Sequence, residues 1–233
     1  MNDKKIYMGK ISYINASPVY YGLDHGLLPD WLKMVSDVPS VLNQKIKTGQ
    51  IKVSPISAAF YAMNHRDFLL LPDLSISCNG RVLSVILASN YDIDDLSGKK
   101  VVFTQESASA ASFLKMIFHE RNVSPDFQVG DVSNFQQVSK LADAVLVIGD
   151  AALSHPWDKM FKHHIDLGQL WFEMTNLPFV FAVWVVRRSF ADSNSDRVKD
   201  IHNLLLESKN RGYQHIDEVV EAGTNKLGIE PSI

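Results

Sequence analysis

Along this chain a short β-rich run repeatedly meets a turn residue and then a helical pattern. The run KIYMGKIS precedes SPVYYGL, IKVSPIS precedes AAFYAMN, KKVVFTQES precedes ASAASFLKMIFHER, and DAVLVIGD precedes AALSH. This alternation restricts the fold to the α/β class. Runs such as VVF and AVLVI are apolar at consecutive positions, as strands covered by helices on both faces require, so mainly parallel sheets flanked by helices are expected.

Two apolar strands stand apart, Val82 to Ala88 and Phe179 to Val186. If both cross between two α/β lobes, the second lobe is an insertion in the first, with residues 1–86 and 184–233 forming one lobe and 87–183 the other. Periodicity alone is equally compatible with a single lobe holding two central strands. The segment SASAASFLKMIFHERN carries a helical stripe at Ala111, Leu114, Ile117 and Phe118, with Ser107 or Ser109 as N-cap. A second helix is expected over 196–212, where Val198, Ile201, Leu204 and Leu205 repeat at three and four and Gly212 ends it.

Composition removes several classes of function. The 233 residues carry 23 Lys and Arg against 26 Asp and Glu, and the net charge of −3 is not the basic footprint of a nucleic-acid binder. The N-terminus MNDKKIYMGKI lacks the apolar region of a secretory signal, and a single cysteine, Cys78, allows no internal disulfide, so a reducing cytoplasm is expected. The longest apolar run, LPFVFAVWVV, is about half of what a membrane span needs, so no membrane partner is expected. The eight histidines show no HExxH or Cys/His ligand spacing, and neither GxGxxG, GxxxxGK[ST] nor GxSxG occurs. Metal, nucleotide cofactor and hydrolase nucleophile are therefore not indicated. The oligomeric state is not legible.

In open α/β sheets ligands sit beyond the carboxyl ends of strands, near helix N-termini. Small polar residues gather at those places here. In ISYINASP, Ser17 can cap and Pro18 suits the first helical position, which leaves Asn15 free to point into a cleft or to close the turn on its own backbone. Ser57 with Ala58 makes a second junction, and Ser107, Ser109 and Ala110 make a third; Asp150 starts a fourth helix. Singly each is an ordinary helix cap; facing pairs would hold a carboxylate. Ser84 is a hydroxyl within an apolar strand, Gly80 before it allows close backbone approach, and Arg81 could hold an anion bidentately. Phe179 or Trp184 could wall an aromatic ligand.

At ISYINASP, PISAAFYA, LPDLSISCNGRVLSVILAS, LSGKKVVFTQESASAASFL, DAVLVIGDAAL and DLGQLWFEMTNLPFVFAVW, the chain resembles the chorismate dehydratase family of the futalosine route to menaquinone. That resemblance implies a two-lobed fold like type II periplasmic binding proteins, joined by two hinge strands. It also implies loss of water from the small dicarboxylate chorismate to give 3-[(1-carboxyvinyl)oxy]benzoate, with no metal or organic cofactor. The asparagine and the serine of the family's motifs match Asn15 and Ser84, the expected catalytic pair. The helix starts near Ser57 and Ser107 to Ala110 are expected to bind carboxylate oxygens. Where the family often has Thr-Ser in the inserted lobe's helix start, this chain has Ala111 and Ser112, and it ends at GIEPSI where relatives usually continue. A non-catalytic solute-binding protein for a small carboxylate is the competing expectation.

Overall fold

The structure, a computed structural model, describes residues 5–104, 108–132 and 135–230, with only the backbone at Phe135. The chain divides into two compact units. The first runs up to Ile76 and resumes at Ala182, and the second is the intervening Ser77–Phe181.

In the first unit, strands β1 (Ile6–Ile11), β2 (Leu32–Asp37), β3 (Val53–Ser57), β4 (Phe68–Cys78) and β10 (Phe179–Arg187) form one sheet in the order β2-β1-β3-β10-β4. The pairs β1–β2 and β1–β3 are parallel, whereas β10 runs antiparallel to β3, with Ala182 opposite Ser57. Its helices are α1 (Ser17–Gly22), α2 (Pro39–Lys47), α3 (Ala58–Asn64), α9 (Arg188–Ala191), α10 (Ser195–Gln214) and α11 (Ile216–Leu227). In the second unit β5 (Val85–Ser89), β6 (Lys100–Phe103), β7 (Asp126–Val129), β8 (Ala144–Ile148) and β9 (His163–Asp166) are ordered β7-β6-β8-β5-β9. There β6–β7 and β6–β8 are parallel, and β5 is antiparallel to both β8 and β9. The helices of this unit are α4 (Ala108–Glu120), α5 (Phe135–Leu141), α6 (Asp150–Ser154), α7 (Trp157–Met160) and α8 (Leu167–Thr175). Each sheet thus keeps three mutually parallel strands, against which β10 in the first and β5 in the second run antiparallel.

The outgoing crossing differs from the expectation. The chain leaves the first unit within β4, not within Val82–Ala88, and returns within β10. Residues 77–86, expected in the first lobe, fall in the second unit, where they lead into β5 between β8 and β9. β4 was hidden by Pro72, which argues against a central strand; it stands at the end of the sheet, where proline is tolerated.

Each unit buries its own core. Trp184, Tyr20, Met8, Leu32, Ile46 and Ile56 are buried together in the first, and Trp157, Val145, Val147 and Ala88 in the second. Trp184 is 0% exposed and therefore packs the first core; it lines no ligand surface. Expected helices form with altered ends. α4 buries Phe113, Leu114, Ile117 and Phe118 but leaves Ala111 only half-buried. α10 runs through Gly212, which does not end it: a methyl group there would overlap the Pro18 carbonyl of α1. Gly22 of α1 approaches the Ser208 backbone in the same way, and the Ser208 hydroxyl accepts the Leu23 N–H at 3.0 Å. Small residues at these positions let α1 and α10 touch almost backbone to backbone.

Candidate functional site

The expected polar residues fall at strand ends within each unit. In the first unit β1 leads to a short 3-10 turn, Ile14–Ala16, that carries Asn15. Ser17, expected as a cap, is helical itself; Ala16 holds the N-cap position and is fully buried, with no side-chain cap bond. Asn15 is exposed, and among the described residues its amide makes no hydrogen bond, so it does not close the turn on its own backbone. The loop beneath it is fastened by α11, where Lys226 Nζ donates to the Ser12 carbonyl at 2.6 Å and Gly223 lies against Ile14. The adjacent β3 ends at Ser57, whose hydroxyl accepts the Phe60 N–H at 3.2 Å and so caps α3. A hydroxyl used as an acceptor keeps its proton to donate. Ala58 opens that helix, half-buried.

In the second unit the antiparallel placement of β5 brings its first residues to the edge where β8 and β9 end. Val85 stands opposite Ile148 and Ile86 opposite Asp166, and the Ser84 carbonyl accepts the Gly149 N–H at 2.7 Å. Ser84 therefore lies beside Gly149 and the start of α6 at Asp150, a half-buried residue with interactions of its own. Ser84 precedes the strand instead of sitting within it. It is 5% exposed, and among the described residues its hydroxyl has no hydrogen-bond partner. Its Oγ is not among the buried atoms left without a partner, so the hydroxyl reaches the surface, free to bond water or a ligand.

The backbone before Ser84 is unusual. Leu83 has φ +65°, and the Ser84 N–H donates to the Val82 carbonyl at 2.8 Å, a tight three-residue turn. A bulky residue at positive φ is strained by roughly 1–3 kcal/mol and persists only where its surroundings enforce it. Here the Asp166 carboxylate does so: it accepts the Val82 N–H at 3.0 and 3.1 Å, the Leu83 N–H at 2.7 Å, and the Gly168 and Gln169 N–H groups at 2.9 and 3.0 Å. Leu83 itself is 53% exposed, so burial of its side chain does not explain the strain.

The remaining expected residues do different work. Ser109 is the second residue of α4, not its cap, and its hydroxyl donates to the Phe181 carbonyl at 2.9 Å. Its proton is thereby engaged within the unit. Ala110 is 0% exposed and packs. Ser107 lies outside the described residues. Arg81 is exposed and, among the described residues, forms no ion pair. Phe179 joins Phe113, Trp171 and Phe181 in an aromatic group with ring centroids 4.3–5.5 Å apart. Sequence reasoning missed Asp166 and Leu83. The signal for Asp166 was present, an Asp immediately before the apolar helical pattern of LGQLWFEM, but nothing local tied it to residues 82–84.

The fold and these strand-end sites define an α/β protein of two units built like periplasmic binding proteins. Solved structures agree: an Archaeoglobus fulgidus protein superposes with a TM-score of 0.77 at 19% identity, covering 96% of this chain and 82% of that one. The alkanesulfonate-binding protein SsuA of Xanthomonas axonopodis pv. citri gives 0.67 at 12% identity, covering 98% and 81%. At those identities the likeness is one of fold. A profile described as menaquinone biosynthesis matches residues 6–232, and the chain belongs to that family. A chorismate dehydratase of Thermus thermophilus is 31% identical over 240 residues, 96% of this chain and 83% of the relative. Another from Campylobacter jejuni is 32% identical over 178 residues, 75% of this chain and 64% of the relative.

Proposed function

We propose that this protein is a chorismate dehydratase, a hydro-lyase that converts chorismate to 3-[(1-carboxyvinyl)oxy]benzoate in menaquinone biosynthesis. The observation that carries the reading is the family match along residues 6–232, joined by a relative of that name matched over 96% of the chain. The site chemistry is consistent with it. Chorismate loses the C3 proton and the C4 hydroxyl, the latter leaving as water, and the ring becomes aromatic, which drives the elimination.

None of the expected catalytic residues is a His, Glu or Lys, so the enolpyruvyl carboxylate of the substrate is the proton acceptor in this reading. Asn15 and Ser84 then orient the substrate through their hydrogen-bonding side chains. Both are available for that: Asn15 is exposed, and Ser84 carries an unengaged hydroxyl among the described residues. Ser57 retains a donor proton for a carboxylate oxygen, and Arg81 adds an exposed cation. Asp150, acceptor only when ionised, suits the substrate hydroxyl and not its carboxylates.

Incubation of the purified protein with chorismate, read by chromatography for the aromatic enol ether, tests the proposal. Turnover that falls roughly 10²- to 10³-fold in Asn15→Ala and Ser84→Ala is expected if each makes a transition-state hydrogen bond. Chorismate binding without product would instead place the protein among solute-binding proteins. The rate should hold nearly constant from pH 6 to 8; a bell-shaped profile would show that a protein base, not the substrate, takes the proton.

A further inference from the structure

The turn that presents Ser84 is clamped from a distant part of the chain. Two groups of backbone donors converge on the one Asp166 carboxylate: Val82 and Leu83 from the segment entering β5, and Gly168 and Gln169 from the first turn of α8. A helix cap needs only the second group. The first group makes Asp166 a bridge spanning 83 positions between it and Leu83. Both groups form charge-assisted bonds, which are stronger than bonds to a neutral acceptor.

The docking is prepared by a missing side chain. A methyl group at 168 would lie 2.6 Å from the Gly80 carbonyl oxygen and 3.1 Å from Val82 Cβ, so only glycine lets the first turn of α8 reach the 80–83 segment. The segment so held contains the positive-φ Leu83, and the next residue is the buried Ser84. Without the Asp166 oxygens, the Val82 and Leu83 N–H groups have no reason to converge, and Leu83 relaxes toward an ordinary φ. That rotation re-aims the side chain that follows it.

From this we infer that Asp166 is a positioning residue for Ser84: its carboxylate enforces the strained turn at Leu83 and so sets the direction of the Ser84 hydroxyl. The inference rests on the role proposed for Ser84 in chorismate dehydration. It adds that a side chain holding no substrate governs the geometry of one that does.

Asp166→Ser separates the two duties. Serine is a good N-cap and still serves α8, but one short hydroxyl cannot also span to Val82 and Leu83. Wild type and Ser84→Ala are assayed first: no turnover by wild type, or no loss in Ser84→Ala, sinks the functional reading and leaves the clamp to be judged by exchange alone. With that reading intact, Asp166→Ser should lose roughly 10- to 100-fold in kcat with KM little changed. In the Ser84→Ala background the same change should cost nothing further. Full activity in Asp166→Ser, or additive losses in the double variant, would overturn the inference. Amide hydrogen exchange of the wild-type protein needs neither activity nor a folded variant. The Val82 and Leu83 amides should be protected alongside those of Gly168 and Gln169, and free exchange at 82 and 83 would overturn the clamp.

Discussion

Tyr20 shows how far a single polar group can depart from its solution chemistry in this protein. It is 0% exposed, its ring is 6.1 Å from that of Trp184, and burial pushes its phenol ionisation well above the ordinary range. Because the folded value lies above the unfolded one, the neutral phenol contributes stability that is fully present below about pH 10 and is lost as pH rises further, when the unfolded chain ionises and the folded one does not. Unfolding free energy should therefore fall by up to about 1.4 kcal/mol for each pH unit above 10 on account of this group, and the slope should flatten in Tyr20→Phe; denaturant titrations at pH 9 to 11 check it. Ser84 is the contrasting case, a nearly buried residue whose hydroxyl has no protein partner among the described residues. Ser84→Ala should be near neutral for thermal stability while activity drops, since nothing within the fold loses a bond. A large fall in melting temperature would mean that the hydroxyl serves packing. Asn15 and Ser84 were legible in the sequence as polar groups set in apolar surroundings. Asp166 was legible only as a cap, because its bonds to Val82 and Leu83 exist only once β9 pairs with β5.

At the scale of elements, the helical glycines divide by what stands next to them. At Gly212 a methyl group would overlap Pro18, backbone that cannot step aside without moving α1 and the Asn15 loop that precedes it. Gly212→Ala would gain about 1 kcal/mol of helix propensity and lose roughly 1–3 kcal/mol to overpacking, so the clash prevails. Gly223 in α11 has only Ile14 side-chain atoms at 3.6–3.9 Å, ordinary contact, so Gly223→Ala should stabilise by about 0.5–1 kcal/mol. Opposite shifts in melting temperature for the two variants are the expected result, and a stabilising Gly212→Ala would show that α1 is not held by this approach. Reading Gly212 as a helix terminator used its usual meaning in a sequence. Its actual use, contact with an element nearly two hundred positions away, has no local signature. The same limit hid β4, whose Pro72 is tolerated only because the strand stands at the end of its sheet.

For the whole molecule, two units with separate buried cores lie on one chain that passes out through β4 and back through β10. A ligand held by the folded protein alone raises stability by mass action, about 2.7 kcal/mol at a hundred times its dissociation constant. An unreactive dicarboxylate analogue of chorismate should accordingly raise the melting temperature of the wild type, and by clearly less in Asn15→Ala and Ser84→Ala. An equal rise in all three would remove both residues from the binding surface. Among the described residues no helix is long and apolar enough to cross a membrane.

The sequence by itself determined the α/β alternation, the strand-to-helix junctions and the family, because hydrophobic period, turn chemistry and ordered motifs are written over a few neighbouring residues. Only the tertiary structure decided which strands cross between the units, why α10 needs a glycine inside it, and that one aspartate braces the turn before Ser84. Those depend on which distant segments become neighbours, and steric overlap and shared hydrogen-bond acceptors arise only after the chain has brought them together.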